Sequence, residues 1–239
     1  MAKPITAAWL IVGGGRLGRH LAEYASLLGV STQMWTRSEH TEQQLLGMAA
    51  SSERVLLTVA DGAIAELAAK IAPVNPQVMH FSGATHIDGV ACAHPLMTSG
   101  PELYSLAQYR CIHFCVTGAE SLTELLPQLA NPHSLLHSED KAKYHAACVI
   151  GGNFTTLVTG KMLSLLAELG VPASAAAPYM QQILANVLAN PANALTGPIA
   201  RQDAGTVQRN LSALENDRYQ AVYQAFVQAH WPSYPEKSQ

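Results

Sequence analysis

The sequence predicts an α/β fold, with an N-terminal doubly wound parallel Rossmann sheet followed by an all-α C-terminal domain. Two observations carry this reading. Up to about residue 137, short apolar runs alternate with helical patterns, the signature of βαβ units. The first of those runs ends directly in Gly13-Gly14-Gly15-Arg16-Leu17-Gly18, a glycine turn placed between a strand and a helix.

Taken in order, Ala7 to Val12 reads as the first strand and Arg16 to Leu28 as the helix after it, stopped at Gly29. Thr32 to Thr36 is a second strand, and Arg54 to Val59 a third. Ile64 to Ile71 is a helix closed by Pro73 and Pro76. Val78 to Phe81, Val90 to Ala93 and Arg110 to Val116 complete six strands. Beyond His137 strand-like alternation ceases. Ser138 is a good N-cap, with Glu139 and Asp140 in the first turn favouring the helix dipole. A long helical pattern runs from Glu139 to Leu169 and ends at Gly170 with Pro172 beyond. Ser174 opens a helix that stops near Asn190 and Pro191. Asp203 caps a third, through Leu214, and Asn216 or Asp217 a fourth, through Ala229. The boundary falls in Asn131-Pro132-His133-Ser134. It gives a cofactor domain over 1–137 and a helical substrate and dimerisation domain over 138–239.

Composition narrows the classes of function. Of 239 residues, 49% are apolar and 13% charged, with a formal net charge of −3. That leaves ample core and no basic field for nucleic acid. No run approaches the roughly 20 apolar residues of a membrane span, and the start does not read as a signal peptide. Cys92, Cys111, Cys115 and Cys148 show neither C-x-x-C nor zinc spacing. They read as buried reduced thiols, Cys111 and Cys115 sharing one strand face, and point to the cytoplasm. His80, His86 and His94 lack the carboxylate or cysteine partners of a metal site, so no metal is expected.

The glycine turn carries the most specific chemistry. Gly13 permits the tight turn, Gly15 lets the backbone approach a pyrophosphate, and Gly18 allows close helix-to-strand packing. The free amides at the helix start then hold the phosphates. After the second strand, where an NAD site places an acid for the ribose hydroxyls, the chain has Thr36-Arg37-Ser38. A guanidinium and hydroxyls suit a 2′-phosphate instead, so NADP(H) is the expected cofactor. Arg16 can lie over the adenine or near the phosphate. The alternative for Arg37 is a solvated surface arginine.

At the tips of the fourth and fifth strands stand Ser82-Gly83 and His94-Pro95-Leu96. His94 is the candidate general acid; its other reading is a histidine that orients the loop before Pro95. Ser82 is a candidate positioning group. His80, inside an apolar strand, reads as a core residue. Gly151-Gly152-Asn153 interrupts the long helix, and Asn153 either hydrogen-bonds substrate or serves helix packing. Arg201, Asp203 and Thr206 gather at a helix start, where Asp203 caps the helix and pairs with Arg201.

These stretches together resemble a family of Rossmann-like proteins with a DUF2520 C-terminal domain, over nearly the whole chain. The most specific part is Thr196-Gly197-Pro198 through Arg201, Asp203, Thr206 and Val207, in which Gln202 stands where the family has glycine. The resemblance implies kinship with pyrroline-5-carboxylate reductases and β-hydroxyacid dehydrogenases, whose helical domain, of the 6-phosphogluconate dehydrogenase C-terminal type, usually dimerises. It implies an NADP-dependent oxidoreductase acting on a small carbonyl or imine substrate in a cleft between domains, and a homodimer. The lysine that a β-hydroxyacid dehydrogenase carries one turn before its asparagine is Val149 here, so that mechanism does not transfer. A protein that senses NADP(H) without turnover is the alternative.

Overall fold

The computed structural model describes residues 7–234. Contacts divide the chain into two compact units, Met1–Asn153 and Phe154–Gln239.

The first unit is a seven-stranded sheet in the order β2-β1-β3-β4-β5-β6-β7. Its strands are β1 (Ala7–Val12), β2 (Thr32–Trp35), β3 (Ser52–Leu57), β4 (Val78–His80), β5 (Ala91–Pro95), β6 (Phe114–Thr117) and β7 (His133–Leu135). The helices between them are α1 (Arg16–Leu27), α2 (Glu42–Ala49), α3 (Asp61–Ile71), α4 (Leu106–Arg110) and α5 (Leu122–Leu125). β1 to β5 pair in parallel, so their carboxyl ends share one edge of the sheet. β6 runs antiparallel to β5, and β7 runs parallel to β6.

Strand alternation sends Trp9 and Ile11 into one apolar cluster, with Leu21, Tyr24 and Phe114, and Leu10 and Val12 into the other, with Leu45, Ile64 and Ile71. A strand covered on both faces must be apolar at every position, which is why β1 is an unbroken hydrophobic run. Each such side chain contributes about 1.5–3 kcal/mol by leaving water. Gly29 ends α1 at φ +71°, with the Val30 amide donating back to Ala25 O at 2.9 Å.

The sheet corrects the sequence reading in three places. The expected sixth strand from Arg110 begins only at Phe114, because Ser105 and Gln108 form a capping box that starts α4. Cys111 is therefore an exposed helix-end residue and not a strand neighbour of Cys115; Cys92 and Cys115 are buried and Cys148 half-buried. The seventh strand, His133–Leu135, occupies the segment read as a boundary.

After a 3₁₀ turn at Ser138–Asp140, α6 (Lys141–Cys148) leads into a π-helical turn, Val149–Phe154, which contains Gly151, Gly152 and Asn153. The first unit extends to Asn153, past the composition change at 137, because the buried Lys141 ties α6 to the strand tips.

The second unit holds α7 (Thr155–Glu168), α8 (Ala173–Ala189), α9 (Gly197–Ala200), α10 (Ala204–Ala213) and α11 (Tyr219–His230). Its buried cluster is small: Val207, Leu211 and Val227, with Ile199, Tyr223, Trp231 and Tyr234 against them. Lys161 and Asp217 form an ion pair between α7 and the approach to α11.

Candidate active site

Steric demands explain Gly13 and Gly18 in the turn. Gly13 has φ +117°, and a Cβ there would lie 2.8 Å from Thr58 O. A Cβ on Gly18 would lie 2.1 Å from Gly13 O, so α1 could not begin where it does. Gly15, the N-cap of α1, faces open space, the room a phosphate needs at a helix N-terminus. Thr58 braces the turn: its hydroxyl reaches Val12 O at 3.0 Å and Gly13 O at 2.9 Å. The sequence reading placed Thr58 inside the third strand; it stands just past the end of β3.

Beside the turn lies a cavity of about 570 Å³, lined among others by Gly15, Thr36, Arg37, His40, Ala63 and Lys70. Lys70 is held by Glu42 at 2.9 Å and Glu66 at 3.4 Å. The Thr36 hydroxyl donates to Glu39 at 2.8 Å. Arg37 and Ser38 are exposed, and Arg37 joins none of the ion pairs among the described residues. Arg16 is exposed in the first turn of α1, and Leu17 packs into the core. A helix start with an open glycine, an adjoining cavity and an uncommitted guanidinium fit a dinucleotide with an added phosphate.

The second cluster lies at the carboxyl ends of β4 and β5. His94 Nδ1 meets the Tyr144 hydroxyl at 2.7 Å, with the rings edge to face. Its Nε2 carries no hydrogen bond to protein among the described residues and lies beside Gly83, where a Cβ would come within 3.0 Å of it. The His145 ring presses on the same glycine. Lys141 is 2% exposed; its ammonium donates to Ser82 O at 3.0 Å and Cys92 Sγ at 3.2 Å. No carboxylate pairs with it among the described residues.

Burial first, then the Lys141 and His145 charges, pushes the His94 imidazole down to about 4 against a weaker opposing effect of Asp61. Burial, with Lys141 next, brings His80 to about 4 as well. His80 is the fully buried core histidine expected, accepting the Ser82 amide at Nδ1. Burial, helped by the Cys115 and Cys148 thiols, pushes the Tyr144 phenol well above its ordinary range, so it keeps its proton at neutral pH.

Of the candidate residues, Ser82 and His94 stand at the tips of neighbouring strands, with Gly83, next to Ser82, against the His94 ring. The Ser82 hydroxyl accepts the Ala84 and Thr85 amides at 3.3 and 3.0 Å and so shapes the loop. Asn153 is exposed in the π-helical turn. Asp203 caps α10 as expected, accepting from the Thr206 amide and hydroxyl at 3.0 and 2.7 Å. The expected Arg201 partner is replaced by Thr206. Sequence reasoning missed Tyr144 and Lys141; their i, i+3 spacing on one helix was the available signal.

Fold and site define a Rossmann-type protein with a helical C-terminal region. Residues 112–230 match the family described as Domain of unknown function (DUF2520), and the chain is a Rossmann-like protein carrying that domain. No functionally curated protein matches the sequence. Among solved structures, a Bacteroides fragilis protein assigned as an NADP oxidoreductase is similar with a TM-score of 0.77 at 20% identity, covering 94% of this chain and 97% of that one. An imine reductase variant from Myxococcus stipitatus in complex with NAD+ gives 0.62 at 16%, covering 96% of each. The Plasmodium falciparum pyrroline carboxylate reductase with NADP bound gives 0.58 at 10%, covering 95% and 97%. Likeness at these identities establishes the shared fold.

Proposed function

We propose that this chain is an NADP(H)-dependent oxidoreductase that transfers a hydride to or from a small carbonyl or imine compound. The observation that carries the cofactor is the open Gly15 at the start of α1, with the uncommitted Arg37 on the wall of the same cavity. The nicotinamide, when bound, supplies or accepts the hydride; the protein's part is to place groups around it. His94, at the carboxyl end of β5, is the group offered to the substrate. Ser82 holds the loop beside it, and Asn153 is the remaining polar candidate. The NADP oxidoreductase and imine reductase among similar structures support the reading. The region after residue 137 serves as the substrate and dimerisation part, and the protein works in the cytoplasm as a homodimer.

Calorimetric titration of NADPH and NADH tests the cofactor. Charge-assisted bonds contribute about 1.5–3 kcal/mol each, so Arg37→Ala should weaken NADPH about 10- to 100-fold and leave NADH unchanged. Equal affinity of the wild type for both cofactors would end the NADP assignment. A screen of small ketones and cyclic imines, followed by NADPH absorbance, tests turnover.

A further inference from the structure

We propose that the His94 site is built for a carbonyl substrate, a ketone or aldehyde whose oxygen accepts from a neutral His94 Nε2–H, and not for an imine. This rests on the oxidoreductase reading above and names its substrate class.

The first step is the tautomer. Tyr144 O and His94 Nδ1 are 2.7 Å apart, so one donates to the other. The phenol retains its proton, and its other neighbours, the thiols of Cys115 and Cys148, are weak acceptors. Imidazole nitrogen is the better acceptor, so the Tyr144 O–H donates to Nδ1. The single ring proton then sits on Nε2, the nitrogen that is free and beside Gly83. Tyr144 is in this sense a positioning residue. Lys141, one helical turn earlier, fastens α6 to Ser82 and Cys92 and so holds that hydroxyl in place.

The second step is the field. The Lys141 ammonium is buried with a carbonyl and a thiol as its partners. The His145 ring meets the same face of Gly83 as His94, and among the described residues Asp61 is the carboxylate whose charge bears on His94, with less weight than Lys141. A carbonyl gains negative charge on oxygen as hydride arrives, which this net positive field favours. An imine must be bound protonated, since hydride addition to the neutral form leaves a very basic nitrogen anion. A neutral imidazole cannot supply that proton beforehand, and the Lys141 charge repels the iminium.

The atoms balance. The carbonyl carbon takes the hydride of the reduced nicotinamide, and the π pair moves to oxygen. Oxygen forms a bond to the Nε2 proton as Nδ1 takes the Tyr144 proton; solvent then returns a proton to Nε2 while Nδ1 gives its own back to Tyr144, which restores the starting tautomer. The products are an alcohol and the oxidised nicotinamide. A neutral histidine acting as hydrogen-bond donor is an established use of a depressed imidazole.

Two measurements on the full chain decide the matter. Nitrogen-15 histidine NMR of the ligand-free protein at pH 7 should show His94 with its proton on Nε2, and Tyr144→Phe should lose that fixed tautomer while keeping the aromatic packing. A proton on Nδ1 in the wild type overturns the proposal. With NADPH, a cyclic ketone should turn over at least ten times faster than the cyclic imine of the same ring size. Imine preference overturns the proposal and leaves the oxidoreductase reading intact. Turnover of neither by a protein that binds NADPH overturns that reading, and this one with it.

Discussion

His80 and His94 enter the fold with their imidazoles lowered to about 4, whereas in the unfolded chain they titrate near 6.5. Between those values the unfolded state binds more protons, so stability rises with pH across that window. The expected behaviour is full stability above about pH 6.5 and progressive loss down to pH 4. The scale is on the order of 3 kcal/mol for each histidine at most. Urea titrations at pH 7.5, 6 and 5 measure it. His80→Asn should flatten the dependence, and a midpoint independent of pH would contradict the burial argument. Legibility at this scale follows sequence distance. The glycine turn could be read because its partners are contiguous, and His94 because it closes an apolar strand. Tyr144 meets His94, Lys141 meets Ser82, and Thr58 meets Gly13, at separations of 50, 59 and 45 residues. No local pattern encodes such pairings, which only the tertiary fold creates.

Among the elements, the link between α9 and α10 shows what a departure from a family pattern costs. Gln202, standing where the resembled family has glycine, sits at φ +53°. A side chain in that left-handed region costs about 1–2 kcal/mol, partly offset because glycine loses more freedom on folding. Gln202→Gly should therefore stabilise the protein by about 0.5–1 kcal/mol, read as a raised urea midpoint with unchanged slope. A lowered midpoint would mean that the glutamine side chain makes compensating contacts. Strands with strong apolar runs were legible, as were helix ends marked by Gly29, Gly170 and Asp203. β7 was not: all three of its residues are exposed, so burial left no alternating pattern to read, and it is held by pairing with β6 and by the Ser134–His113 side-chain hydrogen bond. The start of β6 was misjudged because Cys111 and Ile112, apolar in type, finish the turn after α4. The helix interruption at Gly151 was readable from propensity, while its form, a π-helical turn, was not.

At the scale of the whole molecule, the helical unit leaves much apolar surface in water, which supports the proposed homodimer. α7 buries no residue and α8 only Ala176. Leu157, Leu184 and Leu188 are 57, 59 and 76% exposed. A groove of about 400 Å³ is lined by Phe154, Leu157, Val158, Val222, Phe226 and Ala229, and α8 separately presents Tyr179, Ile183, Leu184 and Val187. Soluble monomers rarely expose contiguous apolar faces of this kind. One unit thus carries both an apolar helix and an apolar groove, and in the proposed homodimer a second copy of the chain would cover both at once through a two-fold, self-complementary interface. Light scattering at micromolar concentration should give twice the chain mass. Each buried leucine contributes about 1.5–3 kcal/mol, so Leu184→Asp with Leu188→Asp should weaken association at least 100-fold and yield monomers. The NADPH cavity is lined by residues of the first unit; its affinity in those monomers should stay within a few-fold of the wild type. A wild-type monomer mass at micromolar concentration would remove the homodimer from the proposal.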